Sequence, residues 1–305
     1  MRAVLARRRL RSAIILVAPA FVVYTVVVIY PLVASLWGSL LDWNGLTSGR
    51  FIALDNFANL FRDPYLPRVV GAFTHNVLWF VGIMVIQNVG GMLIAYLLYT
   101  RRGRMGFFQS AFFLPAILSP ILVGALWRII LAPEGPLNSV LGNLGVASGP
   151  IAWLGDNNLA LPCLVLVDAW NWVGLPLLVF LAGFNDIPPE IMESAKLEGA
   201  SASKALLSIG LPLVMPSIAI VSILTFINAF NQFDIVYIME GPEGNPGHST
   251  DVLGTLFYQL AFGTQGASGL TEIGIALALA TVLMLLLAAG TVVGLRTLGQ
   301  RIVEF

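Results

Sequence analysis

The sequence predicts an all-α integral membrane protein with six transmembrane helices. Hydrophobic residues make up 58% of its 305 residues and charged residues only 10%, whereas a soluble domain carries about 25% charged residues. The mean hydropathy is +0.87. Apolar residues are concentrated in segments of the length, about 20 residues, that a helix needs to cross a bilayer. The predicted spans are 13–35, 70–98, 107–131, 159–184, 213–239 and 273–295.

Composition also excludes several kinds of protein. The chain has 16 Lys and Arg and 16 Asp and Glu residues, and this balance excludes a generally basic nucleic-acid binder. The single cysteine, Cys163, has no partner for an internal disulfide, and its apolar neighbours indicate a buried packing residue. The two histidines, His75 and His248, lie far apart without nearby Cys or His, so the sequence shows no zinc-ligand pattern.

The N-terminal segment divides the chain into a basic tail, residues 1–12, and a six-span domain, residues 13–305. A basic start followed by an apolar run is also typical of a secretory signal. The run at 13–35 is longer than a signal core, and no small-x-small cleavage site is followed by a soluble domain. We therefore interpret it as an uncleaved first span.

The segments between the spans are predicted as loops. Residues 37–70 form a polar loop with interfacial aromatic residues. Residues 132–157 are rich in Pro, Gly and Asn, and residues 240–270 form a Gly-rich polar loop. Two prolines, Pro115 and Pro120, interrupt the third span.

The basic residues predict the orientation of the chain. Six spans place both termini on the same side of the membrane, and cytoplasmic loops are enriched in Lys and Arg. On the side of the termini lie Arg2, Arg7, Arg8, Arg9, Arg11, Arg101, Arg102, Arg104, Lys196, Lys204, Arg296 and Arg301. The opposite loops hold Arg50, Arg62 and Arg68. We therefore expect both termini, and the loop between the fourth and fifth spans, in the cytoplasm.

That loop, from Pro188 to Pro216, is unusually long and polar for a connection between spans. Proline is favourable in the first turn of a helix, so a helix is expected to begin at Pro188 and Pro189. Glu190 lies near the positive end of that helix dipole. Gly199 interrupts the pattern, and a second helical run is predicted at 200–207.

A spaced motif in this loop resembles the EAA loop of ABC importer permeases, whose pattern is E-A-A, three residues, G, nine residues, I-x-L-P. The single departure is Ser194, where alanine is usual. The resemblance implies that residues 185–212 form a cytoplasmic coupling-helix loop that contacts an ATPase. The matching positions are Glu193, Ser194, Ala195, Gly199, Ile209, Leu211 and Pro212.

Shorter matches elsewhere resemble sugar-type (maltose-type) importer permeases: Tyr30-Pro31, Leu54-Asp55-Asn56-Phe57, Leu114-Pro115, Leu181-Ala182-Gly183, Ile187-Pro188, Phe233-Asp234 and Gly241-Pro242. The resemblance implies a multi-pass protein of the bacterial plasma membrane that carries a sugar or sugar derivative. Its implied partners are the lipid bilayer, two cytoplasmic ATPase subunits, an extracytoplasmic solute-binding protein and a second permease subunit, for which a different chain is favoured.

No nucleotide site is visible in the sequence. The stretch from Gly199 to Lys204 is the nearest approach to a phosphate loop, but Ser203 replaces its second glycine and Ala205 its Ser/Thr. We therefore expect no cofactor on this chain, no covalent chemistry, and ATP and Mg²⁺ on the partner ATPase subunits.

Polar residues inside spans are costly and are candidates for a translocation path. The residues of this kind are Gln87, Asn88, Arg128, Asp168, Asn171, Asn228, Asn231, Gln232 and Asp234. The predicted solute path consists of Asn171, Trp172, Asn228, Asn231 and Gln232. The alternative, favoured for any single residue, is that amides tie helices together and tryptophans mark an interface. Arg128 and Asp168 are expected either to reach the interface or to pair with each other.

The predicted function is transport, in which ATPase closure moves the docked loop helix as a lever and the spans alternate their access. An ion-coupled secondary transporter is the alternative, but it usually shows a related half or an inverted repeat. An intramembrane enzyme requires paired acids, a metal cluster or a Ser/His arrangement, and none occurs at usable spacing. The sequence leaves open oligosaccharides, monosaccharides and glycerol phosphates as solutes.

Overall fold

The structure, a computed structural model, describes residues 16–45, 49–100, 105–146, 149–263 and 272–299. The chain divides into two units. The first holds the described residues of Met1–Asp63 and Leu260–Val282, and the second holds those of Pro64–Gln259 and Leu283–Phe305. Both are mainly helical, as the sequence predicts.

The first unit begins with α1 (Leu16–Gly38), which is long and apolar enough to cross a membrane. A short antiparallel hairpin follows, formed by β1 (Leu41–Asp42) and β2 (Arg50–Phe51). The helix α2 (Asp55–Leu60) comes next. The segment predicted as an irregular polar loop therefore contains regular structure.

One buried amide holds this segment together. Asn56 is 3% exposed, and its Nδ2 donates hydrogen bonds to the carbonyl oxygens of Ser39, at 2.9 Å, and Leu41, at 2.8 Å. A buried carbonyl without a partner is costly. Asn56 therefore fixes α2 against the end of α1 and the start of the hairpin.

The remaining helices follow in chain order: α3 (Tyr65–Thr100), α4 (Met105–Ile117), α5 (Pro120–Ile130), α6 (Pro136–Asn143), α7 (Ala160–Trp172), α8 (Gly174–Asn185), α9 (Pro189–Leu197), α10 (Ala202–Leu213), α11 (Met215–Phe230), α12 (Asp234–Glu240), α13 (Leu253–Phe262) and α14 (Ile273–Gly299). Both α3 and α14 are long and apolar enough to cross a membrane unbroken. The helices α6 and α13 lie in segments predicted only as loops.

The other three spans are bent pairs of helices. The bends are 93° between α4 and α5, 48° between α7 and α8, and 74° between α10 and α11. At the sharpest bend, Ser119 has an extended backbone (φ −65°, ψ 144°) directly before Pro120. Proline disfavours helical geometry at the residue before it, so the chain turns there. Counting each pair as one span gives the predicted six.

The fifth span differs most from its prediction at 213–239. The bent pair covers 202–230 instead, because the helical structure starts inside the predicted loop and α11 ends at Phe230. Phe233 then adopts φ −150° and ψ −55°, and α12 begins as a separate helix at Asp234. The break falls at Asn231 and Gln232, polar residues that the prediction placed inside one continuous span.

Two buried clusters form the core of the second unit. One joins α3, α7 and α12 and includes Trp79, Leu164 and Ile235, each at most 1% exposed. Cys163 belongs to the same cluster and is a free buried cysteine, as predicted. The second joins α3, α8 and α10 around Phe184, which is fully buried. These two clusters fix the helices that carry the candidate coupling loop and the candidate solute path.

Glycines on α14 allow a close approach to α11. A Cβ at Gly290 would meet the ring of Phe226, and one at Gly294 would lie 3.0 Å from Cγ1 of Ile223. Small residues four apart let helix backbones pack closely in membranes. Because neither glycine has a side chain, Phe226 and Ile223 can pack against the backbone of α14 at these positions.

Candidate coupling loop and solute path

The motif between the fourth and fifth spans forms two helices that meet at a glycine. The helix α9 begins at Pro189, as predicted, and ends at Leu197. The helix α10 begins at Ala202, where the Ser201 hydroxyl accepts a hydrogen bond from the Lys204 N–H at 3.3 Å. It continues to residue 213, well beyond the predicted run at 200–207.

Gly199 provides the bend between the two helices. Its φ is +79°, a conformation that glycine adopts readily and other residues rarely do. The N–H of Ala200 donates to the carbonyl oxygen of Ala195 at 3.0 Å, the pattern of a Schellman motif with glycine at C′. A Cβ at Gly199 would meet nothing within 4 Å. The backbone conformation therefore favours glycine here, and the described part of the chain leaves open space around it.

The two faces of α9 differ in burial. Met192 and Ala195 are each 6% exposed and hold the helix against the chain. Glu193 and Ser194 are exposed, and Leu197 at the end of the helix is 90% exposed. The exposed part of α9 thus presents polar groups together with the apolar side chains of Ile191 and Leu197.

The helix α10 is anchored to the second unit by a hydrogen bond and by apolar contacts. The hydroxyl of Tyr96 on α3 donates to the carbonyl oxygen of Ala202 at 2.9 Å, one of the groups at the start of the helix. Leu206 is buried, and Ile209 and Leu211 pack against the same core cluster. The helix α10 is therefore packed into the second unit, and a short bend joins it to α9.

The motif positions are divided between these two roles. Ala195, Ile209 and Leu211 face the core, whereas Glu193, Ser194, Gly199 and Pro212 are exposed. The sequence motif alone gives no such division. The role of these residues in ATPase coupling stays a prediction.

A polar cavity of about 220 Å³ lies within the second unit, between α3, α5, α7, α8, α11 and α12. The path residues Trp172, Asn228, Asn231 and Gln232 line it. Further polar lining comes from Gln87, Thr225, Asp168 and Asp234. Thr225 could not be identified from the sequence, because threonine is common in helices and gives no distinctive signal.

Asn171 does not line this cavity. It is fully buried, and its amide donates to the carbonyl oxygen of Pro115 at 2.7 Å while accepting from the Trp172 Nε1–H at 3.3 Å. Asn171 is therefore not part of the cavity lining, and its place in the solute path stays a prediction. Its amide ties α7 to α4 and orients the neighbouring indole.

Asp168 is held by neutral donors. Its Oδ2 accepts hydrogen bonds from the Trp79 Nε1–H at 2.8 Å and from the Gln232 Nε2–H at 3.0 Å. Arg128 instead donates to the carbonyl oxygen of Ile238 at 3.4 Å, near the C-terminal end of α12. A cation there is favourable because helix C-termini carry partial negative charge. The predicted Arg128–Asp168 pair is wrong.

Two further amides tie helices together. Nδ2 of Asn88 donates to Oγ1 of Thr225 at 2.8 Å. Asn76 donates to the carbonyl oxygen of Ala229 at 2.7 Å and accepts from the N–H of Leu253 at 2.9 Å. Sequence reasoning missed Asn76, although a buried amide within a span is the signal that could have identified it.

The segment after α12 is organised around Asp251, which is 4% exposed. Its Oδ1 accepts from the Thr255 hydroxyl at 2.5 Å and from the Gln259 Nε2–H at 2.9 Å. Arg68 donates to Gln259 in turn. Burial raises the pKa of the Asp251 carboxyl above its ordinary value, and the Thr255 hydrogen bond opposes that rise. This network fixes the segment to the start of α3.

Among the residues that the structure describes, no group of three or more His, Cys, Asp or Glu side chains could hold a metal ion. The two candidate functional features of the chain are the loop formed by α9 and α10 and the polar cavity.

Known proteins resemble the chain over most of its length. The family described as "Binding-protein-dependent transport system inner membrane component" matches residues 87–302. The "Probable ABC transporter permease protein YurN" of Bacillus subtilis is 32% identical over 88% of this chain and 89% of its own length. The "Probable starch degradation products transport system permease protein AmyD" of Thermoanaerobacterium thermosulfurigenes is 27% identical over 94% of both. A solved bacterial ABC transporter involved in the import of the acidic polysaccharide alginate has a TM-score of 0.79 and 20% identity, covering 97% of this chain and 99% of that chain.

Proposed function

Because the chain belongs to the family of inner membrane components of binding-protein-dependent transport systems, it is a multi-pass permease subunit, and we propose that its solute is a sugar or sugar derivative. The family match over residues 87–302 carries the assignment as a permease subunit. The sugar assignment is supported by the relative named for starch degradation products. The polar lining of the cavity also supports it, because amides and carboxylates are suitable hydrogen-bond partners for sugar hydroxyls.

The proposed mechanism couples the cytoplasmic loop to the cavity. Two ATPase subunits bind ATP and Mg²⁺ in the cytoplasm, and one of them contacts the exposed face of α9. Their closure displaces α9, and α10 transmits the displacement through the 74° bend to α11. Because α11 carries Asn228 along the cavity wall, that displacement alters access to the solute path. This chain binds no nucleotide itself.

The proposed partners follow from the same scheme. An extracytoplasmic binding protein delivers the solute, and a second, different permease chain completes the path. The direct test is purification of the tagged chain from its native membrane. ATPase and binding-protein subunits should be recovered with it, and the binding protein should retain a sugar. Recovery of the chain without any ATPase subunit would contradict this scheme.

The proposed orientation places both termini in the bacterial cytoplasm. Single cysteines are introduced in a Cys163→Ala background, since Cys163 is buried. The exposed positions Arg62 and Glu134 should react with an impermeant thiol reagent added to intact cells, and the exposed position Glu198 should not. Permeabilised cells provide the control, in which Glu198→Cys must also react. Labelling of Glu198→Cys from outside would reverse the orientation.

A further inference from the structure

Acidic side chains contribute to the lining of the polar cavity. Its lining includes two carboxylates, Asp168 and Asp234. Among its described lining residues, none is Lys, Arg or His. Arg128, on the neighbouring helix α5, is instead directed to the carbonyl oxygen of Ile238. The other polar groups of the lining are neutral amides, a hydroxyl and an indole.

Asp168 is fixed in place. It is 9% exposed, and Trp79 and Gln232 both donate to its Oδ2. Both donors are neutral and add no positive charge to the wall. Among the described residues, Oδ1 has no hydrogen-bond partner. Asp234, at the start of α12, is exposed and lines the same cavity.

We infer that the cavity favours uncharged sugars and disfavours sugars that carry a carboxylate or phosphate, with Asp168 and Asp234 as the residues that determine this charge specificity. The inference rests on the proposed function, and it distinguishes among solutes that the family leaves open. A sugar hydroxyl can donate to a carboxylate, a charge-assisted hydrogen bond that is shorter and stronger than a neutral one.

An anionic sugar faces the opposite situation. It must lose its hydration shell to enter, and burying a charge is costly unless a partner compensates. The described lining supplies no cation as partner, and both carboxylates repel it. Similarity of fold to an importer of acidic alginate therefore does not extend to the charge preference of this cavity.

The charge preference is measured directly with thiol reagents of opposite sign. Asn231, an exposed lining residue, is changed to Cys in a Cys163→Ala background of the complete importer complex. Rates are compared for a trimethylammonium-ethyl and a sulfonatoethyl methanethiosulfonate. Clefts lined by charges of one sign concentrate ions of the opposite sign by about ten- to a thousandfold. We expect the cation-to-anion rate ratio at position 231 to exceed that at exposed Glu134→Cys by about tenfold.

Neutralisation identifies the residues responsible. Asp168→Asn with Asp234→Asn should bring the ratio to that of the control site, and Asp234→Asn alone, at an exposed position, should reduce it without risk to folding. Asp63→Asn, at an exposed site outside the cavity, should leave it unchanged. A ratio at position 231 equal to that at the control site, or one insensitive to Asp234→Asn, overturns the inference. Because the assay measures no transport, sugar uptake by a complex without this preference would overturn the inference while leaving the proposed function standing.

Discussion

Replacing Gly199 with valine is expected to lower ATP-driven uptake by about tenfold or more while the chain remains inserted in the membrane. The φ of Gly199 is +79°, and a left-handed conformation costs a non-glycine residue about 1–2 kcal/mol. For a β-branched residue such a φ is a genuine outlier. Since about 1.4 kcal/mol corresponds to a factor of ten, the α9–α10 bend should adopt another geometry in most molecules. Uptake by proteoliposomes and the amount of ATPase recovered with the chain measure this effect.

Asparagine at the same position is the matched control. Asparagine occurs at positive φ several-fold more often than most residues, and the space around Gly199 accepts a Cβ. Gly199→Asn should therefore retain most of the uptake that Gly199→Val loses. If Gly199→Val transports normally, the bend is not the coupling element. If both variants fail equally, a partner surface and not the backbone conformation requires glycine here.

Replacing Leu197 with aspartate should lower the recovery of the ATPase subunit by about tenfold. Leu197 is 90% exposed on the polar coupling loop, and we expect it to be buried against the ATPase. Burying a leucine contributes about 1.5–3 kcal/mol. Because substitutions at exposed sites usually change stability by less than about 0.5 kcal/mol, the variant chain should remain folded. Quantitative co-purification with the tagged chain gives the result.

The control for this second substitution is Leu197→Met, which keeps an apolar side chain of similar volume and should keep the ATPase bound. Thermal unfolding of the variant chains in detergent must show equal midpoints, so that loss of the partner is not loss of the fold. Normal ATPase recovery with Leu197→Asp would place the contact elsewhere on α9, with Glu193 and Ser194 as the exposed alternatives.

The spans and the loop motif could be predicted from the sequence because each depends on local pattern. Apolar length predicts a membrane helix, and Pro189 and Gly199 mark helix boundaries through their own backbone preferences. The breaks within spans were harder to place. Pro120 indicates the α4–α5 bend, whereas Asn231 and Gln232, where the chain breaks before Asp234, were interpreted as polar residues inside one continuous span.

Side-chain placement was the least predictable feature. Asn171 and Asn228 are both amides within spans, yet one bonds to Pro115 in the interior and the other lines the cavity. Which face of a helix meets a cavity depends on the tertiary packing, and helical periodicity does not determine it. The Arg128–Asp168 pair could not be judged from the sequence for the same reason. In the structure, Asp168 accepts from Trp79 on α3, and Arg128 donates to the carbonyl oxygen of Ile238 on α12.

ATP-dependent sugar uptake by the reconstituted complex tests the central claim most directly. Proteoliposomes contain this chain with its co-purified permease and ATPase subunits, and the loaded binding protein is added outside. Uptake should require ATP on the ATPase side, should stop when the binding protein is omitted, and should persist when ion gradients are collapsed with ionophores. Uptake that continues without ATP and follows an imposed proton or sodium gradient would contradict the account and indicate a secondary transporter.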